Sequence, residues 1–355
     1  MMKMLVAILG DVHFGARGDS PHFHNYFRRF YESVFFPYLE KHNILHVIQL
    51  GDVFDRRKFI NFNSLNQSKD YFFDKLNQDY TSWLLTGNHD TYFKNTNEVN
   101  SPELLLGQYH NINLVNEPTE IELEEIKVLL MPWICQENAA RCFNSMQTSS
   151  AQIIMGHFEI EGFQMYKGTY CEDGVKPDFF ERFDMVISGH FHTRSFNGNI
   201  TYTGTPYEMT WSDYGDPKGF HVFDTDTREM KFIQNPYCMF HKLWYDDNGA
   251  SMDEIIGINF EQYKDTMVKV IIKNKLNPVW FDMYIEKLEK AGVVDLQVVE
   301  DHLNLNLEDD ADIVNEAEDT LTILGKYVSQ LEIKADKNKL DNLLRQLYHQ
   351  ALSME

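Results

Sequence analysis

Short apolar runs alternate with helical patterns along the first two thirds of the chain. Five of these runs stop at a glycine, namely MLVAILG, HVIQLG, WLLTG, QIIMG and MVISG. Runs this apolar and rich in β-branched residues predict strands that are buried on both faces of a sheet. A glycine at the strand end lets the backbone turn sharply beside a ligand. The pattern therefore predicts that the polar residues after the five strands gather along one edge of a sheet.

Segments 22–42 and 61–78 lie between the strand-like runs and carry aromatic and aliphatic residues at helical spacing. Strands that alternate with helices are typical of an α/β layered fold. The segments NITYTG, GFHVFDTD and EMKFIQ have the pattern of further strands. We expect them to close a first domain that spans residues 1–235.

A smaller unit is predicted at residues 236–303. VKVIIKN and VVDLQVVED have the pattern of strands, and the helical segment between them begins at Pro278 and ends at Gly292. This order predicts a compact β-α-β domain. The acidic segment 304–319 is typical of a solvated linker. Residues 320–355 contain two leucine-rich amphipathic patterns, which predict short helices that either bind a partner or pack on their own domain.

The charge of the chain bears on its partners. The 355 residues have a net charge of −22, whereas a nucleic-acid-binding surface is usually basic. Eight of the acids lie between Asp301 and Asp319, where there is no lysine or arginine, and bound divalent cations would neutralise part of the remainder. Acidity therefore does not exclude DNA. Tight binding of DNA would need a partner protein or a local basic patch.

Two further features bear on the compartment. The first apolar run is too short for a signal peptide, and no stretch approaches the ~20 apolar residues of a membrane-spanning helix. The four cysteines show no C-x-x-C pair. We therefore expect a cytoplasmic protein with free cysteines and no membrane partner.

The polar residues after the five glycines are typical metal ligands. Carboxylate, amide and imidazole groups without thiolate favour Mn²⁺, Fe²⁺ or Zn²⁺ over a soft-metal site. Two ions about 3.5–4 Å apart need a bridging carboxylate and several further ligands. A single polar residue at a strand end is as often a turn residue, but the ordered set GDVH, GDVFD, GNHD, GH and GHFH is specific. The candidate ligands are Asp11, His13, Asp52, Asn88, His157, His190 and His192.

In this order the motifs resemble those of the calcineurin-like metallophosphoesterases, over roughly the first 235 residues. The resemblance implies two mixed β-sheets that pack together and are flanked by helices. It implies phosphoester hydrolysis with two divalent ions, chiefly Mn²⁺ with Mg²⁺ as the alternative, bridged by Asp52. His89 is implied to stabilise the transition state or protonate the leaving oxygen, which suits a pKa near neutrality. The other ligands are implied to divide into Asp11, His13 and His192 for one ion and Asn88, His157 and His190 for the other.

Within that family the chain resembles the SbcD-type DNA repair and recombination nucleases, and its length and arrangement are similar to those of the phage members. The resemblance lies in GHFHT followed by TYTGTP, in the β-α-β unit, which corresponds to their capping domain, and in the terminal helices. It implies an exonuclease or endonuclease that acts on DNA without sequence specificity, in double-strand break repair or recombination. If phage-encoded, the protein would act in the host cytoplasm.

The same resemblance implies two protein partners. One is an SMC-like ATPase of the SbcC type, bound by the C-terminal helices. The other is a second copy of the chain, because helices in the part of the domain that holds segments 22–42 and 61–78 form the nuclease homodimer in this family.

Two other functions are also compatible with the sequence. One is a metallophosphatase that acts on phosphoprotein or nucleotide, because GDVFDR resembles the protein phosphatase motif. Those phosphatases, however, lack the final G-H-x-H pair and the capping unit. The other is a scaffold with a degenerate site, which is disfavoured because no ligand position is missing.

Two more sets of residues are candidates for roles beside the metals. Asp55 departs from the SbcD-type pattern, which often has histidine there. We predict that its carboxylate accepts a hydrogen bond from His89 and orients that ring, while the alternative is a solvated loop carboxylate. Basic residues near the catalytic loops suit contacts with DNA phosphates. These candidates are Arg17, Arg56, Arg57, Lys58 and Arg194.

Overall fold

The computed structural model describes residues 4–166, 169–172 and 174–300, together with residues 337, 339, 340 and 344. The predicted linker at 304–319 lies outside the described residues, as does nearly all of the predicted helical segment 320–355. The strands in chain order are β1 Leu5–Leu9, β2 His46–Gln49, β3 Thr81–Leu85, β4 Ile112–Val115, β5 Thr119–Leu123, β6 Ile126–Met131, β7 Ile153–His157, β8 Gln164–Tyr166, β9 Thr169–Tyr170, β10 Met185–Gly189, β11 Ser195–Asn197, β12 Ile200–Tyr202, β13 Gly219–Asp224, β14 Met230–Gln234, β15 Phe240–Asp246, β16 Met267–Asn274 and β17 Asp295–Glu300.

The α-helices of the same residues are α1 Ala16–Asp19, α2 Pro21–Phe30, α3 Phe36–His42, α4 Phe62–Ser68, α5 Asp74–Asp79, α6 Ser101–Leu106, α7 Ala139–Thr148, α8 Met252–Ile256 and α9 Pro278–Lys290. Two π-helical segments, Tyr31–Phe35 and Lys69–Phe73, join α2 to α3 and α4 to α5. Among the helices that the structure describes, none has the length and apolarity needed to cross a bilayer.

Two large mixed sheets form the body of the fold. The strand order of the first is β14-β13-β1-β2-β3-β4, and that of the second is β11-β12-β10-β7-β6-β5. Their facing side chains form one core, in which Ile8 and Ile48 of the first sheet join Ile153 and Ile187 of the second. Helices flank this pair of sheets, so the predicted layered α/β fold is confirmed.

The five glycine-stopped runs all form strands, but they belong to two sheets. β1, β2 and β3 are parallel neighbours in the first sheet, and β7 and β10 are parallel neighbours in the second. The prediction of one sheet edge is therefore wrong. In either sheet, an inner strand is covered by the other sheet on one face and by helices on the other face. Its sequence is therefore apolar in both cases and does not indicate the sheet to which it belongs. What brings the five carboxyl ends together is the packing of the two sheets.

The aromatic residues of segments 22–42 and 61–78 fill the space between the first sheet and its helices. The Phe27 ring stacks on Tyr207 with centroids 3.8 Å apart, and the Tyr31 and Phe72 ring centroids are 4.5 Å apart. These four side chains are buried. Most aromatic residues of the two segments therefore belong to the core rather than to an exposed surface.

A three-stranded parallel sheet, β15-β16-β17, follows the two large sheets. It contains the predicted β-α-β order as β16, α9 and β17, and it adds β15, which the sequence analysis did not identify. The buried Glu208 carboxylate ties this sheet to the first part of the chain, because it accepts hydrogen bonds from the backbone N–H groups of Met239 and Phe240 at 2.6 and 2.9 Å. The domain boundaries at 235 and 303 stay predictions.

Candidate metal centre

The structure brings all seven predicted ligands together where β1, β2, β3, β7 and β10 end. Two groups of ligands are compact, and within each group one donor atom per residue lies within 4.8 Å of the others. We call them cluster A and cluster B. Cluster A contains Asp11, His13 and His192, and cluster B contains Asp52, His157 and His190.

The spacing of the donor atoms fits a shared ion. His13 Nε2 lies 3.2 Å from His192 Nε2 in cluster A. In cluster B, Asn88 Oδ1 lies 2.9 Å from His157 Nε2 and 3.0 Å from His190 Nδ1. Bonds of about 2.1 Å place neighbouring ligands about 3.0 Å apart around an octahedral ion and about 3.4 Å apart around a tetrahedral one. Asn88 therefore completes cluster B.

Asp52 stands between the two clusters. Its Oδ2 atom lies 3.7 Å from His13 Nε2 and 3.4 Å from His157 Nε2. Its Oδ1 atom accepts a hydrogen bond of 2.7 Å from the backbone N–H of His89, which fixes the carboxylate in this orientation. The position fits the bridging role that was predicted for Asp52, and that role stays a prediction.

The electrostatics of the site also favour cations. Desolvation is the main cause that lowers the pKa of His190 and of His192 to about 3, so both rings are neutral, as a metal ligand requires. Burial would also lower the pKa of His13 and of His157, but the carboxylates around them raise both to about 9. These carboxylates thus create a field that stabilises positive charge inside the cleft.

The backbone is strained at three of the predicted ligands. His13, Asp52 and His190 have left-handed conformations with φ of 42°, 54° and 84°. Such residues cost about 1–3 kcal/mol each and persist where the surrounding structure holds them. Here the loops after β1 and β2 hold each other, because the N–H groups of Val12 and His13 donate to the Asp52 carbonyl oxygen at 3.2 and 3.0 Å. Strain at these positions is typical of a functional site.

Gly51 is required by close packing. Its φ is 104°, and a Cβ atom there would lie 2.5 Å from His157 Nδ1. His157 Nδ1 in turn lies 2.8 Å from the Leu50 carbonyl oxygen. A proton on Nδ1 donates to that carbonyl, so Nε2 faces cluster B as a lone-pair donor. The glycine two residues after β2 therefore allows His157 of the second sheet to approach the first.

The contacts of Asp55 differ from the predicted ones. Its carboxylate lies 3.4 Å from His13 Nδ1, whereas His89 Nδ1 contacts the Asp55 backbone carbonyl oxygen at 2.6 Å. The predicted hydrogen bond from His89 to the carboxylate is therefore wrong. The loop after β2 turns the carboxylate towards β1 and leaves the carbonyl to orient His89. Burial opposes ionisation of Asp55, but His13 outweighs it and the pKa of Asp55 is lowered.

His89 lies beside the two clusters. Its ring centroid is 4.9 Å from that of His13. Desolvation is the main cause that lowers its pKa below the ordinary value of 6.5, despite the opposing charge of Asp52. A ring that is held by a carbonyl and rests beside the ligands is in a position to act on a leaving group.

Three residues without a predicted role support the site. Asp90 accepts hydrogen bonds from the N–H groups of Val53, Phe54 and Gly87. Lys218 donates to the His192 carbonyl oxygen at 2.9 Å and pairs with Asp213 at 2.8 Å. The Trp133 ring centroid lies 5.2 Å from that of His190. Asp90 could have been found, because it follows Asn88 and His89 in the same motif. Lys218 and Trp133 carry no such signal.

The basic candidates for DNA contacts are not equivalent. Arg56 pairs with Asp19 at 2.9 Å, and Nη1 of Arg57 is buried with no hydrogen-bond partner among the described residues. Lys58 is exposed and Arg17 is half-buried. The Arg194 guanidinium lies 3.7 Å from the centroid of the Phe232 ring. The run 56–58 is therefore not one uniform basic surface, and contact with DNA stays a prediction for all five.

The sequence of the chain is similar to those of known proteins. Residues 4–194 match the family model of the calcineurin-like phosphoesterases. Over 351 residues the chain is 31% identical to Exonuclease subunit 1 of Enterobacteria phage T4, which covers 98% of this chain and 99% of that protein. The crystal structure of the Pseudomonas putida nuclease MPE aligns with 64% of this chain and 87% of its own at 13% identity. The TM-score of that alignment is 0.32.

Proposed function

The chain belongs to the calcineurin-like phosphoesterase family, and we propose that it is a DNA nuclease that hydrolyses phosphodiester bonds with two divalent metal ions. The observation that carries the reaction is the position of Asp52 Oδ2, which faces a histidine of each cluster. The choice of DNA is supported by similarity to an exonuclease subunit along 98% of the chain. That similarity extends beyond the family domain and through the three-stranded sheet.

Asp11, His13 and His192 would hold one ion, and Asn88, His157 and His190 the other, with Asp52 between them. Bound there, two divalent ions would promote deprotonation of a water molecule and neutralise the phosphate oxygens. The neutral rings of His190 and His192 suit this role. Ligands of mixed carboxylate, amide and imidazole type support Mn²⁺ as the ion, with Mg²⁺ as the alternative.

His89 would act on the leaving oxygen. Its Nδ1 proton donates to the Asp55 carbonyl oxygen, so Nε2 is the nitrogen that would carry a second proton in the imidazolium form. The lowered pKa makes that form a strong acid, which favours transfer of the proton to the oxygen of the departing strand. Asp55 is proposed to position His13 through its carboxylate and His89 through its carbonyl group.

An exposed apolar patch supports assembly into a homodimer. We define it as Phe59, Phe62, Val99 and Leu104, which are 62, 86, 37 and 72% exposed. It borders a cavity of about 230 Å³ between the loop after β2 and α6. A cluster of exposed apolar side chains of this kind marks an interaction surface. Light scattering should show a dimer that Phe62→Asp converts to a monomer, while Leu276→Asp, also at an exposed apolar residue, leaves the dimer intact.

The second proposed partner is an SMC-like ATPase of the SbcC type, which would place the nuclease in double-strand break repair or recombination. Support comes from the word "subunit" in the name of the phage relative and from the leucine-rich pattern at 320–355. Copurification of the full chain with such an ATPase, and its loss when residues 320–355 are removed, would test the partnership.

The deciding experiment measures cleavage of linear DNA with Mn²⁺ or Mg²⁺ by the purified chain, beside a phosphopeptide. We expect Mn²⁺-dependent cleavage of DNA, severe loss in Asp52→Asn and His89→Ser, and no loss in His110→Ser, which alters an exposed histidine. Turnover of the phosphopeptide without cleavage of DNA would assign the chain to the metallophosphatases instead.

A further inference from the structure

The core between the two large sheets opens into a cavity at their outer strands. The cavity has a volume of about 510 Å³. Met230 of the first sheet and Met185 of the second line it, and both also pack against the core between the sheets. The volume lies in the range of small-molecule sites. The edge strands β11 and β14 lie on its two sides.

Polar side chains occupy positions on the cavity wall that face the core. His221 pairs with Ile8 across β13 and β1, and Thr201 pairs with Ile187 across β12 and β10. Ile8 and Ile187 point into the core between the sheets, so their paired neighbours share that face. An apolar residue would be expected at both positions. A histidine and a threonine there indicate a wall that is built for polar contacts.

One buried polar group on this wall has no hydrogen-bond partner among the described residues. His221 is 4% exposed, and its Nδ1 atom makes no hydrogen bond. Buried polar groups are nearly always hydrogen-bonded. The unused Nδ1 atom of His221 therefore points to a ligand that supplies a matching atom.

One wall of the cavity continues from the loop that holds the predicted ligand His192. Arg194 follows His192 by two residues, and its guanidinium covers the Phe232 ring at 3.7 Å. Gly204 packs against the backbone of both residues. A Cβ atom there would lie 3.0 Å from the Arg194 backbone nitrogen and 3.0 Å from the His192 carbonyl oxygen. Beside Arg194, the Phe196 side chain is 72% exposed. A cation and an exposed aromatic ring thus line the cavity together with the buried His221.

We propose that this cavity binds one unpaired nucleotide of a DNA strand that lies on the metal centre. The proposal rests on the proposed nuclease function. Arg194 would contact the phosphate, Phe196 would stack on the base, and His221 would hydrogen-bond its edge. One cation suits the single charge of a phosphodiester, and aromatic rings stack on any base without reading its sequence. The site would hold a frayed or single-stranded end beside the ions.

A fluorescence experiment tests this site without cleavage. The full chain, kept in EDTA, is mixed with a single-stranded oligonucleotide that carries one 2-aminopurine near its end. Stacking on Phe196 quenches the fluorescence of that base. We expect strong quenching by the wild type, and binding weakened about tenfold in Phe196→Ala. Phe179→Ala, which alters another exposed phenylalanine, should bind like the wild type.

His221→Leu is the second variant, because leucine suits a position that faces the core and keeps the chain folded. We expect its affinity for the oligonucleotide to fall about fivefold or more while its melting temperature holds or rises. Equal quenching and equal affinity in wild type, Phe196→Ala and His221→Leu would overturn the proposal. Hydrolysis of bis(p-nitrophenyl) phosphate and of DNA by the wild type with Mn²⁺ is measured separately. Failure there would refute the nuclease assignment, whereas failure of the quenching alone would refute the cavity site.

Discussion

Replacing Asp55 with asparagine distinguishes two roles for this carboxylate. If it oriented His89, the Asp55→Asn variant would lose turnover and keep its metal. The structure instead places the carboxylate 3.4 Å from His13 Nδ1 and gives His89 the backbone carbonyl. A carboxylate behind a histidine ligand orients the ring and increases its basicity. The variant should therefore lose affinity for the metal and keep most of its turnover once the metal is saturating.

The size of the effect follows from the contact. Losing a carboxylate behind a metal-binding histidine costs about 10- to 100-fold in affinity or activity. The 3.4 Å contact between His13 Nδ1 and the Asp55 carboxylate is electrostatic and not a hydrogen bond, and the carboxylate is 30% exposed. We therefore expect a loss near the lower end of that range. It amounts to about 1–2 kcal/mol, or about a 5- to 30-fold decrease in the affinity of cluster A for Mn²⁺.

The assay is direct binding of Mn²⁺ by titration calorimetry, together with the Mn²⁺ concentration that gives half-maximal hydrolysis of bis(p-nitrophenyl) phosphate. Both should shift in Asp55→Asn, and neither should shift in Asp178→Asn, which alters an exposed carboxylate. Unchanged Mn²⁺ binding with reduced turnover at saturating Mn²⁺ would refute the assignment and restore the contact with His89.

Three further changes test the support around the site. Lys218→Met should lower the free energy of unfolding by about 3 kcal/mol, because it leaves the buried Asp213 without its cation. Urea denaturation measures this loss. The double variant Lys218→Met with Asp213→Asn should recover stability, and a failure to recover would contradict the charge argument. Gly51→Ala should cost about 2 kcal/mol or more, because φ is 104° and the new methyl group meets His157; full stability with normal Mn²⁺ binding would contradict the packing argument. Burial raises the pKa of Glu208 from 4.5 to about 7, so the folded state binds the extra proton and stability falls as pH rises through that interval. The stability advantage of wild type over Glu208→Gln should therefore decline by roughly 3 kcal/mol between pH 5 and 8, and a pH-independent difference would show that Glu208 does not titrate in this way.

Much of the fold could be predicted because it depends on local patterns. The glycine-stopped runs form β1, β2, β3, β7 and β10, and the helix from Pro278 lies between two strands as expected. The assignment of these strands to one sheet failed, since an apolar run does not indicate which neighbours it pairs with. The aromatic residues around Phe27 and Phe72 were recognisable as helical, but only packing shows that they are buried.

The sequence alone determined the chemistry of this protein. The types of the predicted ligands and their order after five strand ends are local features of the chain, and parallel strands all end in the same direction. The tertiary structure decided what those residues contact. It turned the Asp55 carboxylate to His13 and its carbonyl to His89, and it paired Arg56 with Asp19. It also placed His221 in the wall of a cavity that Arg194 lines as well. These contacts join loops and strands that are far apart in the chain, so they depend on how the two sheets pack and not on any local pattern.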